Sequence, residues 1–460
     1  TYTHTHTYSN FQRFTFHCHL AWTLRKRERE RERERMRRDI LHRLRSRHLL
    51  SESTLKNTST MSEFLSGRKN VSAYLGIDPT GGGLHVGHLA SLRALQEIER
   101  CEGVRPILLV GGATACVGDP SGKRSERPML SLDDIRGNVE GIRKDLSLLS
   151  FENEPLIVNN ADWWNNMSAL EFLRDVGRHF RANVMLQKES VKQRLSSGEG
   201  ISFTEFSYQV LQGYDFLHLY ENHDCVLQVG GSDQWGNITA GVNLVRRVKD
   251  EQVHGVTVPL LTTSQGEKFG KTAGNAIWLC PSRTSNYDFY QYFLRTEDND
   301  VGKLLRIFTN LEDEDLNRIE TSHQENPRYA QRVLADSITR EIRGEQGLEN
   351  ARNVTDALHG GIDALSRLTA SDLTQVFEKD RHLRIARSEL SEMPIVELLA
   401  RTGLVPSKSQ AKKLTGSGGV YLNNHRVDDA KAKIKDSDLI GGNMLLLRKG
   451  KRESCLVEVN

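Results

Sequence analysis

Between Val71 and Leu261, short apolar runs alternate with stretches of helical spacing, and this alternation constrains the fold more than any other feature of the chain. The clearest runs are Val71–Ile77, Pro106–Val110, Pro155–Val158 and Cys225–Val229. Strands of this kind, joined through helices, give a mostly parallel sheet flanked by helices, with ligands beyond the carboxyl ends of the strands. Residues 167–219 break the rhythm with Leu170–Val176 and Phe206–Leu211, so a helical insertion is expected near 165–200. The expected fold class is α/β: a Rossmann-like domain over 61–280, an α-helical domain over 281–390 and a small α+β domain over 391–460.

Two patches almost two hundred residues apart fall after strand-like runs. His85-Val86-Gly87-His88 follows Val71–Ile77 and precedes Leu89–Leu95, which has helical spacing. Both imidazoles therefore sit at a helix N-terminus, where backbone N–H groups and the macrodipole favour phosphate oxygens. Lys268-Phe269-Gly270-Lys271-Thr272 lies in a glycine-rich loop whose ammonium groups can swing over a leaving pyrophosphate. Mobile cations placed there stabilise a transition state more than a ground state.

At 460 residues, the chain is long enough for two or three domains with cores of their own. It contains no apolar span of eighteen residues, so no membrane-crossing helix is expected. The six cysteines, Cys18, Cys101, Cys116, Cys225, Cys280 and Cys455, form no Cys-x-x-Cys pair and no cluster at metal-ligand spacing. Free thiols and no protein-bound metal are the expectation. Residues 1–35 are low-complexity, with Thr/His and Arg/Glu dipeptide repeats, and carry no fold of their own. Residues 36–60 begin basic and amphipathic, which fits a mitochondrial presequence; the alternative is that Ile40, Leu41, Leu44, Leu49 and Leu50 dock a terminal helix on the body. Near the C-terminus, Lys408, Lys412 and Lys413 share one helix face, and Arg448 and Lys449 lie in a second cluster. In a chain whose net charge is only +3, such clustering points to a nucleic-acid contact.

Further stretches carry a family resemblance. Tyr74–Thr80, Gly111–Thr114 with Gly118–Lys123, Tyr208–Asp215 and Gln228–Asn237, together with the two patches, resemble tyrosyl-tRNA synthetases of the bacterial and mitochondrial type. His85–His88 is similar to the HIGH signature of class I synthetases, and Lys268–Thr272 to their KMSKS loop. The resemblance implies ATP-dependent activation of L-tyrosine and its transfer to tRNA(Tyr), with Mg²⁺ accompanying ATP. It also implies a homodimer joined through the insertion, an anticodon-binding helical domain and an RNA-binding C-terminal domain. No membrane partner is implied. The expected compartment is the mitochondrial matrix, with the cytoplasm of a bacterium or a plastid as the alternative.

Site residues follow from the resemblance. Thr80, His85, His88, Lys123, Arg127, Lys268, Lys271 and Thr272 match the catalytic set around the phosphates. Tyr74 and Asp215 match the readers of the phenolic hydroxyl. Asp119, Tyr208 and Gln212 match the groups around the substrate ammonium, with Asn160, Gln228 and Gln234 completing the amino-acid site. Gly76, Asp78, Gly231 and Asp233, with His85, His88, Lys268 and Lys271, match the ATP site. A pocket built to pair a hydroxyl rejects phenylalanine by about 10⁴ to 10⁵, and tyrosine-specific synthetases are themselves the source of that magnitude. Trp163, Trp164 and Trp235 read as packing, and His179, His218 and His223 as ordinary. Leu75 stands where many relatives carry cysteine, and Gly81-Gly82-Gly83 makes the loop before His85 costly to order.

Two other readings remain: a tryptophan-specific relative, and an RNA-binding scaffold on the same fold. Activation itself needs no general base, because the attacking carboxylate is already ionised, so its catalysis reduces to positioning and to stabilising the departing pyrophosphate. Lys271→Ala is therefore expected to slow adenylate formation with little change in tyrosine affinity, measured by single-turnover kinetics against equilibrium binding.

Overall fold

The computed structural model describes residues 40–55, 64–65, 68, 70–100, 104–122, 125, 129–196, 200–266, 269–272, 275–326, 328–359, 382–390, 393–450 and 453–460. The expectations for 1–35, and for 36–60 outside 40–55, lie outside the described residues. The chain divides into two compact units, Thr1–Ala276 with Asn299–Glu320, and Ile277–Asp298 with Thr321–Asn460.

In the first unit, β1 (Glu52–Ser53), β2 (Ser72–Ile77), β3 (Arg105–Val110), β4 (Leu156–Asn159), β5 (Cys225–Gly231) and β6 (His254–Val258) form one sheet in the order β1-β6-β5-β2-β3-β4. The edge strand β1 is antiparallel to β6; every other pairing is parallel. The chain winds outward from β2 through β3 to β4, then returns to lay β5 on the other side of β2. That reversal opens a crevice at the carboxyl ends of β2 and β5, the usual ligand position in such sheets. The Val86–Glu99 helix packs on β2 and β5, and the Phe203–His223 helix packs on β5 and on the Trp235–Lys249 helix. The expected interruption between the halves of the sheet is built of short pieces. Ala169–Glu171 leads into a π-helical turn, Phe172–Val176, and Glu189–Ser196 is fixed by a buried Arg194–Glu205 ion pair of 2.6 Å.

The basic N-terminal segment resolves in favour of docking over residues 40–50. Ile40, Leu41 and Leu44 of the Ile40–Ser46 helix are buried, as is Leu49. Arg43 pairs with Glu97, and the buried Arg47 guanidinium donates to the carbonyls of Thr309 (2.5 Å) and Leu311 (2.6 Å). The glycine loop before His85 is also tighter than its sequence suggests. The Asp145 carboxylate accepts from Leu84 N–H at 2.7 Å and occupies the place where a Cβ at Gly83 would stand. A Cβ at Gly141 would collide with the Gly82 carbonyl. These glycines permit close contact with the Leu132–Leu146 helix, so the loop is fitted to it.

A two-residue ladder, β7 (Lys271–Thr272) with β8 (Asn275–Ala276), closes the glycine-rich loop. In the second unit, the Asn286–Leu294 helix packs along Tyr329–His359, which is broken at Gly344 (φ 74°). Its sheet comprises β9 (His382–Ile385), β10 (Val420–Leu422), β11 (His425–Arg426), β12 (Met444–Lys449) and β13 (Glu453–Val459), in the order β11-β10-β12-β13-β9. The two-residue period sorts β12: Leu445 and Leu447 join the core of the Ile395–Arg401 helix, whereas Met444 and Leu446 meet Val354 and Ala357. Two details differ from a helical stretch over 281–390 followed by a separate domain. Residues 299–320 belong with the first unit, and β9 pairs in parallel with β13.

Leu44→Ala is expected to destabilise the protein by about 2 to 4 kcal/mol, because it leaves a cavity in a closed contact. The exposed Arg45→Ala is the control, and thermal unfolding monitored by circular dichroism reads both. Equal midpoints for the two variants would mean that the helix is not integral to the body.

Candidate active site

The crevice between β2 and β5 is lined by residues that the sequence spreads over more than 150 positions: Tyr74, Gly76, Asp78 and Thr80 at the end of β2, Asp119, then Tyr208, Gln212 and Asp215 from one helix, and Gln228, Gly231, Asp233 and Gln234 at the end of β5. Pairing Tyr74 with Gln228 across the two strands puts them at one level, on one face of the sheet. The Phe203–His223 helix brings Tyr208, Gln212 and Asp215 to the same cavity because they lie four and three residues apart.

The deepest part is a phenol and a carboxylate. The Tyr74 ring packs edge-on against Phe216, its centroid 5.3 Å away, and its hydroxyl is buried with no hydrogen-bond partner among the described residues. Asp215, 1% exposed, accepts from Asn160 Nδ2 (3.0 Å) on Oδ2 and from the indoles of Trp163 (2.9 Å) and Trp164 (2.7 Å) on Oδ1. Burial raises its pKa to about 7, against the pull of these three donors. Burial, and then Asp215, push the Tyr74 hydroxyl well above its ordinary range, so it stays protonated and is a donor in need of an acceptor.

Towards the mouth, Asp78 accepts from Thr114 Oγ1 and from the Tyr208 hydroxyl, both at 2.7 Å. Asp119 accepts from Gln234 Nε2 (2.7 Å) and from Ser121 N–H (2.9 Å). The side-chain carbonyls of Gln212 and Gln228 are buried and unpartnered among the described residues. Four carboxylates and two such carbonyls, with neither lysine nor arginine among the described lining residues, suit a bound cation carrying several N–H donors.

The helix start behaves differently from the simple expectation. His85 Nδ1 accepts from Gly87 N–H (3.1 Å), His88 Nδ1 accepts from His85 N–H (3.1 Å), and the rings stack at 3.9 Å. The imidazoles thus consume two backbone donors that were expected to face phosphate. Each ring is left with Nε2 as its outward donor in the neutral tautomer this network assigns. Burial, and then the neighbouring His85, lower the His88 pKa to about 3, so its ring acts as a neutral dipole. His88 lines the crevice, and His85 stands behind it.

The two distant patches meet through backbone. Gly270 has φ +89°, and a Cβ on it would lie 2.9 Å from Gly87 N. The loop before it is tied down by Ser264, whose N–H and hydroxyl donate to Asp300 Oδ2 (2.9 and 3.1 Å), and by Phe269 stacked on Phe308 at 5.7 Å. Lys123, Arg127 and Lys268 lie outside the described residues, as do the side chains of Lys271 and Thr272.

Three residues outside the lining hold Asp215, and two of them, the tryptophans, depart from their sequence reading. Asn160 is fully buried behind Asp215, donating also to Thr114 Oγ1, so it supports the pocket from outside the lining. Trp163 and Trp164, read as packing, are hydrogen-bond donors to Asp215. Only the partner's position, fixed by the fold, reveals that role. In the second unit, Lys408, Lys412 and Lys413 are exposed along the Lys408–Gly416 helix, and Lys408 is paired with Glu397 at 2.8 Å.

Comparison with known proteins identifies the family. Residues 66–360 match the model of class I tRNA synthetases (W and Y), and residues 372–457 that of the tyrosine–tRNA ligase SYY-like C-terminal domain. The tyrosine–tRNA ligase of Roseiflexus castenholzii is 43% identical over 428 residues, which cover 91% of this chain and 99% of the relative. That of Anaeromyxobacter dehalogenans (strain 2CP-1) is 46% identical over 395 residues, 85% of this chain and 93% of the relative. Among solved structures, a C-terminally truncated Aspergillus nidulans mitochondrial tyrosyl-tRNA synthetase superposes with a TM-score of 0.63 at 29% identity, covering 72% of this chain and 99% of its own. The chain belongs to the class I tRNA synthetases and, within them, to the tyrosine–tRNA ligases.

Proposed function

We propose that the crevice binds L-tyrosine and ATP side by side, with the phenol of tyrosine at Tyr74 and Asp215 and its ammonium among Asp119, Tyr208 and Gln212. The observation that carries this reading is the pairing of an unsatisfied buried hydroxyl with a buried carboxylate at the pocket floor. A ligand phenol accepts from one and donates to the other, which removes both desolvation costs together. Gln228 and Gln234 complete the amino-acid site, while Gly76, Asp78, Gly231 and Asp233 face the adenylate. Thr80 and the neutral Nε2–H groups of His85 and His88 address phosphate oxygens.

The carboxylate-lined crevice repels a triphosphate, so the compensating charge comes from elsewhere. Lys123, Arg127, Lys268, Lys271 and Thr272 supply it around the departing pyrophosphate, and Mg²⁺ arrives with the nucleotide, held by phosphate oxygens. Attack of the tyrosine carboxylate on the α-phosphorus yields tyrosyl-adenylate. The tyrosyl group then passes to the 3′-terminal ribose of tRNA(Tyr), which the Lys408, Lys412 and Lys413 face helps to hold. Exposed Leu170, Leu173, Leu195 and Phe203 around the insertion support a homodimer. Bacterial relatives and a fungal mitochondrial neighbour fit a bacterial-type enzyme of the mitochondrial matrix.

ATP–pyrophosphate exchange tests the amino-acid assignment. Tyrosine is expected to be strongly preferred over both tryptophan and phenylalanine, and Tyr74→Phe to reduce the preference over phenylalanine about tenfold without changing the KM for ATP. A preference for tryptophan overturns the assignment. Gly270→Ala tests the meeting of the two signatures: the added Cβ pushes the loop from Gly87, so adenylate formation is expected to slow at least tenfold while equilibrium tyrosine binding stays unchanged.

A further inference from the structure

Asp215 is held in an uncommon way. Two adjacent indoles, Trp163 and Trp164, donate to the same oxygen, Oδ1, at 2.9 and 2.7 Å, and among the described residues Oδ2 receives only Asn160 Nδ2 at 3.0 Å. Asn160 cannot turn away, because its carbonyl accepts from Ala113 N–H (2.8 Å) and its amide also donates to Thr114 Oγ1 (3.0 Å). Each carboxylate oxygen has two lone-pair directions, so Oδ1 is filled and one direction on Oδ2 remains. The unpartnered Tyr74 hydroxyl belongs to the same pocket.

We propose that Trp164 is a positioning residue for amino-acid selection: with Trp163 it occupies one oxygen of Asp215 and thereby reserves the other for the hydroxyl of the substrate. This inference rests on the reading of Asp215 as the acceptor of the tyrosine phenol.

The surroundings explain why two indoles are needed. The groups facing Asp215 are Tyr74 and Asp78 from the β2 side, Tyr208 and Tyr214 from its own helix, and Asn160, Trp163 and Trp164 from the turn after β4, with His218 stacked behind Trp163. None of them is a lysine or an arginine. Tyr208 and Tyr214 stay protonated, burial lowers the pKa of the half-buried His218, and Asp78 repels a second negative charge. Neutral N–H donors are thus what favours the ionised carboxylate against burial. Substrate binding uses that ionised form as its acceptor, so tyrosine affinity rises with pH as Asp215 loses its proton. Removing a donor raises the pH at which this happens. The two rings are locked in place: Trp163 stacks on His218 with centroids 4.2 Å apart, and Trp164 packs against Tyr214 (5.0 Å) and Phe172 (5.7 Å).

Trp164→Phe keeps most of this packing and deletes the N–H. In the full-length enzyme, the acid limb of tyrosine binding is expected to move up by about one pH unit, and the KM for tyrosine at pH 7.5 to rise about tenfold, as a lost hydrogen bond to a charged group implies. The KM for ATP and the slow exchange with phenylalanine, which has no hydroxyl to place, are expected to remain as in the parent. A loss that is uniform across pH, or equal for phenylalanine and tyrosine, marks a packing role and overturns the proposal. If Trp164→Phe does not fold, the parent enzyme labelled with ¹⁵N-indole tryptophan gives the answer. The Trp164 Nε1–H resonance is expected to titrate with the midpoint of tyrosine binding and to shift on adding tyrosine, and a resonance that does neither overturns the proposal. Asp215→Asn separates the two levels. If it leaves tyrosine selection intact, the phenol reading itself fails; if it abolishes selection while Trp164→Phe leaves the pH profile unmoved, only the role of Trp164 fails.

Discussion

The register between β2 and β5 is the constraint from which the rest of the site follows. Ser72 lies opposite Cys225, but the next residue, Ala73, lies opposite Leu227, so β5 carries one extra residue. Without that irregularity Tyr74 would face Leu227, and the polar side chain of Gln228 would fall one step away. A one-residue slip in a sheet turns every later side chain to the opposite face. The bulge therefore sets which residues of β5 share a cavity with the buried phenol, and it acts before any ligand is considered. It also aims the end of β5, with Gly231, Asp233 and Gln234, along the same wall.

Electrostatics then divide the site into two regions with opposite needs. The floor and sides carry Asp78, Asp119 and Asp215, with the imidazole of His88 uncharged at working pH. This is a good environment for an ammonium and a poor one for a triphosphate. The fold resolves the conflict by separation. Asp78 follows β2, Asp119 follows the Thr114–Val117 turn and Asp215 stands on one helix, and no lysine or arginine is among the described lining residues. Cations carried on loops can act when charge develops on the leaving group without neutralising the amino-acid pocket beforehand.

Legibility in the sequence followed the nature of each signal. The parallel sheet was readable because uninterrupted apolar runs such as Pro106–Val110 have few alternatives at that length. Tyr74, Asp119, Tyr208, Gln212, Asp215 and Gln228 were readable only together, through short motifs whose order matches a family; they do converge on one crevice. The roles of Trp163 and Trp164 were not readable. An indole in a turn looks the same in sequence whether its N–H meets Asp215 or solvent, and the carboxylate lies about fifty positions away. The loop Gly81–Gly83 misled for a related reason. Glycine signals either freedom or close approach, and the Asp145 carboxylate that decides the matter is far along the chain. The N-terminal helix offered two readings because a basic amphipathic helix suits a leader and a docking segment equally, until Glu97 and the carbonyls of Thr309 and Leu311 are seen to receive its arginines.

The contact between Gly270 and Gly87 joins two signatures that lie far apart in the sequence. A Cβ at Gly270 would come within 2.9 Å of Gly87 N and hold the loop away from the helix start. With none there, the loop backbone rests on the first turn of the helix, beside the stacked imidazoles of His85 and His88. Ser264 and Phe269 fix the approach from the Asp300 and Phe308 side, so the loop has anchors on the body before the glycine contact is made. The backbone of Gly270 is thereby brought to the helix start by its own packing.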